Sequence, residues 1–478
     1  MAGAVCGGLV GAAKPAERFE PVLAPGTDIR LLPESERTME RLILGLDANR
    51  TKYFMLPETA PWDPKTSDPH VRYLRRQLYW LNFELLHGGL LKAAPEYTRF
   101  FVAVPEAGVA PEALGNEESV FRDYLRTRVG WTEEIIARRV RFFQTPSIVA
   151  FPRDMAEPLG RDAKERLVLA LGGDSDAYYA QPLRRLVGAF PEEFVLKILP
   201  VVNTEGGDMS LVWLPEGKVG LILGYHRILR YLQANGSRPP DGKPVPPARI
   251  EEGREAFRRA FYGLEVLVLG EQALHEPGTA SVELIHSDMV VNVVRGRTGV
   301  VAFVPSYREG PVVDAIFQRA VPEDIRNRAQ GEYDRAALML QKRGYRVVRL
   351  PFHDHPDRTP VQVGDFVDLR TGQQSLLFGK YPYHFELPGG RNPQRELQGS
   401  LGRLEDAVEA WRQAPSESHW QEVVRSLAGV WTEMDRAAES PNPNFQMQVR
   451  LYEAEGVRVI PVPMYPTGQG GVHCLLLN

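Results

Sequence analysis

The spacing of apolar residues divides the chain into an N-terminal part and a longer remainder. From Ser35 to about Leu91, apolar side chains fall largely three or four residues apart, which is typical of amphipathic helices. We therefore expect a helical N-terminal extension over residues 31–94, with a loop from Pro57 to Pro69. Residues 1–30 contain Gly, Ala and Pro without periodicity, so a disordered leader is expected there. The apolar positions that carry the helical pattern are Leu42, Leu44, Tyr73, Leu74, Leu78, Leu81, Leu85 and Leu86.

A different unit recurs beyond about Arg99. A helical stretch ends, sometimes at Gly, and a short β-branched run follows that closes with Pro, which is typical of α/β units. Long helical stretches between irregularly spaced units predict βαβ-type modules arranged around an axis. A plain doubly wound sheet would show the same local pattern, and the pattern alone favours neither. The runs lie at residues 100–105, 194–200, 299–305, 344–351 and 456–463.

Two stretches interrupt the expected domain, which covers residues 95–478. Residues 234–250 are polar and rich in Pro and Gly. Residues 386–433 pass from a Gly-Gly-Arg turn into a long helical pattern. We interpret both as insertions. The apolar positions of the second are Leu404, Val408, Trp411, Val423, Leu427 and Trp431.

Composition and charge exclude several classes of protein. The 478 residues exceed the size at which one hydrophobic core normally stops growing. The formal net charge of -4 gives no sign of a phosphate-binding surface, so no nucleic-acid partner is expected. No run of eighteen apolar residues occurs, so we expect no membrane span. The first residues lack a basic start and a long apolar stretch. A cytoplasmic protein is therefore expected, while the remnant of a trimmed export signal stays open.

The chain has two cysteines, Cys6 and Cys474, near its opposite ends. This number excludes a disulfide scaffold and argues against a cysteine zinc site. Two other stretches contain metal-binding residue types, at residues 353–357 and 172–176, but solvated loops explain both better. We expect no metal and no cofactor. Cys474, in a terminal segment rich in Gly and His, fits a single working thiol.

Polar motifs lie close to the predicted strands at four places. Taken singly, each is most simply a turn, a cap or a structural pair, because such residues favour tight loops and hydrogen-bonded corners. Their order along the chain gives them weight together. The motifs are Arg153-Asp154, Glu205-Gly-Gly-Asp208, His286-Ser-Asp288 and Gly470-Gly-Val-His-Cys474.

Jointly the four motifs resemble the guanidine-modifying enzymes of the pentein superfamily, such as arginine deiminase, agmatine deiminase, dimethylargininase and the amidinotransferases. The resemblance covers residues 95–478, and the His-Cys terminus and the Glu-Gly-Gly-Asp turn are its most specific parts. It implies a five-bladed α/β propeller of ββαβ-type modules. It also implies a small-molecule guanidino substrate, with peptidyl arginine included.

The chemistry of a guanidinium fits these residue types. Its carbon is a poor electrophile, so catalysis needs carboxylates that hold the planar cation, for which Asp154 and Glu205 are candidates. It also needs a thiolate nucleophile, Cys474, and an acid and base for the leaving amine and for water, His286. Asp288 would orient His286 or join the carboxylate clamp. Arginine deiminases bind the substrate carboxylate through arginines, and Arg227 is the candidate here.

The sequence departs from the family in its last residues, where Leu475 to Leu477 follow the cysteine in place of a polar residue. With the two insertions, this leaves free arginine, agmatine, methylated arginine and peptidyl arginine open as substrates. A hydrolase is the leading hypothesis, and an amidinotransferase is the alternative. Non-catalytic pentein proteins that bind ribosomal subunits lack the Cys, His and acidic set, so the complete set here argues against a binding protein of that kind. A papain-like protease is excluded because it needs its cysteine near the N-terminus. A homo-oligomer stays open.

Overall fold

The computed structural model describes residues 22–46, 68–106, 117–147, 152–173, 177–201, 206–237, 240, 242–277, 286–308, 323–352, 359–383 and 390–465. The strands are β1 Val22–Leu23, β2 Arg30–Leu31, β3 Arg41–Gly45, β4 Arg99–Pro105, β5 Val140–Thr145, β6 Glu157–Arg161, β7 Leu167–Gly172, β8 Phe194–Leu199, β9 Met209–Trp213, β10 Val219–Gly224, β11 Glu265–Leu269, β12 Asn292–Gly296, β13 Gly299–Ser306, β14 Arg346–Pro351, β15 Gly364–Val367, β16 Gln374–Lys380 and β17 Arg458–Pro463.

The α-helices are α1 Pro69–Phe83, α2 Gly89–Ala93, α3 Glu117–Tyr124, α4 Glu133–Arg139, α5 Ala177–Ala189, α6 Tyr225–Ala234, α7 Pro247–Ala260, α8 Gln272–His275, α9 Glu323–Lys342, α10 Pro393–Gln413, α11 Glu417–Glu439 and α12 Pro443–Ala454. Two π-helical turns continue α1 and α3, at Glu84–Gly88 and Leu125–Val129. Short 3-10 helices lie at Glu34–Glu36, Pro152–Met155, Gly206–Asp208 and Ser287–Met289.

Among the described residues, four of the five small sheets repeat one topology. Together with the helices between their strands, these sheets confirm the mixed α/β class. In each, the first strand pairs antiparallel with the second, and the second pairs parallel with the third. A parallel pair needs a crossover connection, and helices supply it between the second and third strands each time. In the fifth sheet, β3, β4 and β5 are all parallel. The four repeated modules are β6–β8, β9–β11, β12–β14 and β15–β17.

The five β-branched runs predicted as strands are confirmed as β4, β8, β13, β14 and β17. Two of them begin after a glycine that ends the preceding helix. Gly344, with φ of +96°, follows α9, and Gly456, with φ of +87°, follows α12. A residue with a Cβ would be strained in this left-handed conformation, so glycine allows the chain to turn from helix into strand.

In the N-terminal region, the structure differs from the sequence-based predictions in two places. Residues 22–31 contribute β1 and β2, and β2 pairs with β6, so the expected disordered leader is wrong for residues 22–30. In the expected helical extension, residues 69–93 are helical, but β3 is a strand that pairs with β4. Leu42 and Leu44 therefore share one face of a strand, as residues two apart do. Residues 1–21 and the loop expected at 57–67 lie outside the described residues.

The central segment, residues 32–40, contacts the first strand of all four repeated modules. On β6, the Leu159 carbonyl accepts a hydrogen bond of 2.9 Å from Leu32 N–H. On β15, Val367 N–H donates a hydrogen bond of 2.8 Å to the Arg37 carbonyl. On β9, the Trp213 indole N–H donates to Glu36 Oε1 at 3.1 Å. On β12, Arg295 Nε lies 3.5 Å from the same oxygen. One short piece of chain therefore contacts the first strand of every repeated module.

The helical pattern predicted within residues 386–433 is confirmed by α10 and α11, which pack on each other and on α1. Their N-termini begin at Asn392 and Ser416, whose side chains accept a backbone N–H from the first turn. Residues 384–389 are outside the description. Among the helices of the described segments, we find none that combines the length and apolar character needed to cross a bilayer.

Substitution of Gly160 tests how much the pairing of β2 with β6 contributes to the free energy of unfolding. The Gly160 φ of +136° lies where a Cβ is strained, and an added Cβ would overlap the Arg30 carbonyl. We expect Gly160→Ala to lower the free energy of unfolding by more than about 2 kcal/mol. The control is Gly429→Ala in α11, where no atom lies within 4 Å of an added Cβ and a gain of about 0.5 kcal/mol is expected. Chemical denaturation measures both, and equal stabilities would contradict this view of the N-terminal strands.

Candidate functional site

Three short turns occupy equivalent positions in three successive modules. Turn A is Pro152–Met155, turn B is Gly206–Asp208 and turn C is Ser287–Met289. Each comes just before the first strand of its module, β6, β9 or β12. The turns are also in contact with one another, turn A with turn B and turn B with turn C.

Gly207 in turn B is the point where the three turns touch. A Cβ added to Gly207 would overlap His286 Nδ1 and would lie 3.4 Å from Asp154 Oδ1. The Ser287 hydroxyl donates a hydrogen bond of 3.4 Å to the Gly207 carbonyl. The imidazole of His286 and the carboxylate of Asp154 therefore approach the same backbone from two sides, and only glycine leaves room for both.

His286 lies between two buried carboxylates. Its Nδ1 is 3.9 Å from Asp288 Oδ1 and 3.9 Å from Asp208 Oδ1. Both aspartates are almost fully buried, whereas the His286 side chain is 25% exposed. The site therefore combines a partly accessible proton carrier with acidic groups that attract a cation.

Arg153, the neighbour of Asp154, is buried beneath the turns and does not face solvent. Its guanidinium pairs with Glu34 of the central segment and with Glu157 at 2.7 Å, and it donates to the Met209 carbonyl at 3.4 Å. Burial opposes the charge of Arg153, but the carboxylates of Glu157, Glu34, Asp288 and Asp154 outweigh it and raise its pKa. A permanently charged arginine thus anchors turn A.

Arg227 is also buried, and its guanidinium forms an ion pair with Asp208. The same carboxylate oxygen, Oδ2, lies 2.8 Å from Nε2 of His226. Arg227 therefore lies close to the three turns, although its side chain is not exposed. Its expected role as a ligand of a substrate carboxylate stays a prediction.

The sequence placed Asp208 in one of the four motifs without giving it a role, and it did not single out His226 as a site residue. The pairing of β9 with β10 explains why they meet. Met209 lies opposite Leu223, so Asp208 falls beside Gly224, where α6 begins. A residue just before one strand of a hairpin and a residue just after the other share one end of the sheet. This register is the signal that could have found them.

His226 is held as a neutral imidazole. Burial lowers its pKa to about 3, and the positive charges of Arg230 and His286 act in the same direction. Asp208 would oppose this shift, but its carboxylate is already paired with Arg227.

The structure brings together Asp154, His286 and Asp288, and it adds Asp208 and His226 to them. The predicted residues Glu205 and Cys474 lie outside the described residues, as do residues 353–357 and 174–176. Over the described ranges, no three His, Cys, Asp or Glu side chains are grouped so that they could hold a metal ion.

Comparisons with known protein families and with curated proteins find no match for this chain.

Because His226 is neutral in the folded protein, the free energy of unfolding should depend on pH. The unfolded chain takes up a proton at this histidine below about pH 6.5, whereas the folded protein resists it down to about pH 3. Folding stability is therefore lost as the pH falls through this window, by up to about 1.4 kcal/mol per pH unit. His226→Gln removes the titration, so its stability relative to the unsubstituted protein should increase steadily from pH 6.5 to pH 4.

Denaturant unfolding at each pH, compared between the two proteins, gives this difference directly. The control is His275→Gln, which removes a histidine from an exposed position at the end of α8. A His226→Gln difference that does not change with pH would show that the His226 imidazole is protonated as easily in the folded protein as in the unfolded chain.

Proposed function

We propose that this chain is a guanidine-modifying enzyme of the pentein type. The proposed reaction is hydrolysis of a C–N bond in a guanidino or amidine substrate through a covalent intermediate on Cys474. The observation that carries the proposal is the meeting of turns A, B and C. Residues more than a hundred positions apart, Asp154 and His286, approach the same glycine, Gly207. This is the geometry that one small planar cation would require.

The fold gives independent support. The four repeated modules have the ββαβ order that the five-bladed propeller needs, and β3–β5 would complete it as the fifth blade. The first strands of all four modules contact the central segment, as expected if the blades surround an axis. In such a propeller, the turns of the candidate site would lie at one end of that axis. A doubly wound sheet would instead join its strands edge to edge.

The proposed mechanism assigns one task to each group. Asp154 and Asp288 hold the guanidinium nitrogens, together with Glu205. The Cys474 thiolate attacks the guanidinium carbon, and His286 gives a proton to the departing nitrogen, so that ammonia or an amine leaves. His286, now neutral, removes a proton from water as the water attacks the thiouronium carbon. The C–S bond then breaks and the new hydroxyl group loses its proton to solvent, which releases a ureido product and restores the thiolate.

The nucleophile gives the direct test of the reaction class. Cys474→Ala and Cys474→Ser should abolish turnover of guanidino substrates, because no other group in the proposal forms the covalent bond. Cys6→Ala is the matched control and should leave turnover unchanged. The assay measures ammonia and amine release from arginine, agmatine, methylated arginine and a peptidyl arginine, with and without an acceptor amine. A haloacetamidine probe should label Cys474 in mass spectrometry.

Full turnover by Cys474→Ala would contradict the proposed chemistry. Product that forms only with an acceptor amine would assign the chain to the amidinotransferases. Tight binding of a guanidino compound without turnover would favour a binding protein.

Gly207 gives a second test, which depends on geometry alone. A methyl group at this position would push the His286 ring away from its place between Asp208 and Asp288. We expect Gly207→Ala to keep the fold but to lower kcat about 100-fold, because small displacements of catalytic groups are costly. Gly188→Ala in α5, where an added Cβ meets no atom within 4 Å, is the control. Wild-type kcat in Gly207→Ala would remove His286 from the mechanism.

A further inference from the structure

A cavity of about 490 Å³ lies at the opposite end of β6 and β9 from turns A and B. Arg161 is the last residue of β6 and Trp213 is the last residue of β9, and both line the cavity, whereas the turns precede these strands. The volume is within the range of small-molecule sites, and the proposed reaction makes no use of it. The charged residues of the lining are Arg30, Arg41, Arg161, Glu36, Glu40 and Glu165.

Three of these arginines contact Glu165, in the turn between β6 and β7. The Glu165 carboxylate accepts two hydrogen bonds of 3.0 Å from Nη2 of Arg30. Its carbonyl oxygen accepts from Arg161 at 3.4 Å and from Arg41 at 3.3 Å. Arg30 and Arg161 are direct partners in the pairing of β2 with β6, where like charges repel each other. The arginines of this cavity are therefore arranged around oxygen atoms that offset their charge.

Positive charge exceeds negative charge in the ion pairs that line or adjoin the cavity. Among the described residues, the carboxylate of Glu193 serves two arginines, whereas each of the other glutamates has an arginine of its own. The Arg41 and Arg161 side chains are only 10% and 11% exposed, so water screens them weakly and they attract an anion more strongly. The pairs are Glu165 with Arg30, Glu40 with Arg161, Glu36 with Arg295, and Glu193 with both Arg41 and Arg99.

Glu165 is an imperfect partner for Arg30. Its φ of +60° lies in the left-handed region, where a residue with a Cβ is strained. Both of its carboxylate oxygens accept from the same nitrogen, Nη2, and over the described ranges the buried Nε of Arg30 has no hydrogen-bond partner. A free oxyanion could accept from Nε and Nη2 together, which is the fork geometry that arginine prefers. Because the Glu165 side chain is 58% exposed, its ion pair stabilises little and can be displaced.

We propose that this cavity binds a small molecule with a carboxylate or phosphate group, which takes the place of the Glu165 carboxylate at Arg30. The apolar part of the lining, Leu32, Trp213 and Leu369, suits the body of an organic anion. The arginines would repel a cationic guanidino compound, so this is a second site with a different ligand. The inference does not depend on the proposed function.

Isothermal titration calorimetry of the full chain at constant ionic strength tests this with two probes, inorganic phosphate and benzoate. Glu165→Gln removes the competing charge and should bind the better probe about fivefold more tightly than wild type. Arg30→Gln removes the fork and should weaken binding at least about tenfold. Tighter binding of phosphate would identify the ligand as free phosphate or a phosphate ester, and tighter binding of benzoate would identify an organic acid. Either result supports the proposal.

The matched control is a second arginine–glutamate pair outside the cavity. Arg343 forms an ion pair with Glu216, and both side chains are partly exposed, as are those of Arg30 and Glu165. Arg343→Gln and Glu216→Gln should leave the affinity for both probes unchanged. Equal weakening by Arg343→Gln and Arg30→Gln would overturn the proposal, because binding would then follow the net charge of the protein.

The wild-type protein and the exposed Glu165→Gln change decide the question even if Arg30→Gln does not fold. Absence of saturable binding in both proteins would overturn the proposal. Phenylglyoxal modification of Arg30 in the wild-type protein, measured by mass spectrometry, should be slowed by a saturating concentration of the better probe. An unchanged rate of Arg30 modification would also overturn it.

Discussion

The pairing of the buried Arg153 guanidinium with Glu157 and Glu34 is the interaction on which the rest of this structure depends. The Arg153 side chain is 1% exposed, and a buried charge is tolerated only when it is paired and hydrogen-bonded. Glu157, at the start of β6, and Glu34, in the central segment, supply the opposite charges, and the Met209 carbonyl supplies a further acceptor at the start of β9. Because Arg37 shares both carboxylates, removing either Glu157 or Glu34 would leave an excess of buried positive charge, at a cost of several kcal/mol. This requirement fixes turn A against the central segment.

From this anchor the candidate site follows by repetition. Turns A, B and C precede the first strands of successive modules, and each of these strands contacts the central segment. Fixing turn A beside the central segment therefore brings turns B and C close to it. Gly207 then allows His286 and Asp154 to approach the same backbone. The site is thus built from residues far apart in sequence, on backbone that the modules hold in place. The acidic groups suit a cation, and the imidazole suits proton transfer, which are the two needs of guanidine chemistry.

The sequence predicted those features that depend on local pattern. The five β-branched runs are strands because β-branched residues favour extended backbone in short runs. β4 and β13 are buried along most of their length, whereas β8, β14 and β17 are only partly buried. The residues at 41–45 were expected to be helical because they were grouped with the helical pattern that follows, although Leu42 and Leu44 lie two residues apart, which is the spacing of a strand. Pairing with β4, more than fifty residues away, makes this segment a strand. His226 was missed for a similar reason. Its importance comes from the register of β9 against β10 and from the burial of Asp208, neither of which the spacing of residues shows.

The central claim is that turns A, B and C form a guanidinium site that works with a thiolate at Cys474. The most direct measurement is the rate at which a neutral alkylating agent modifies Cys474 as a function of pH, with and without a guanidinium ligand such as agmatine. In the proposed site, the acidic groups around His286 would oppose a thiolate at Cys474 in the free protein, and a bound cation would offset them. The account predicts that alkylation rises with pH in a step that the ligand shifts or blocks. A rate that is indifferent to both pH and ligand would contradict it.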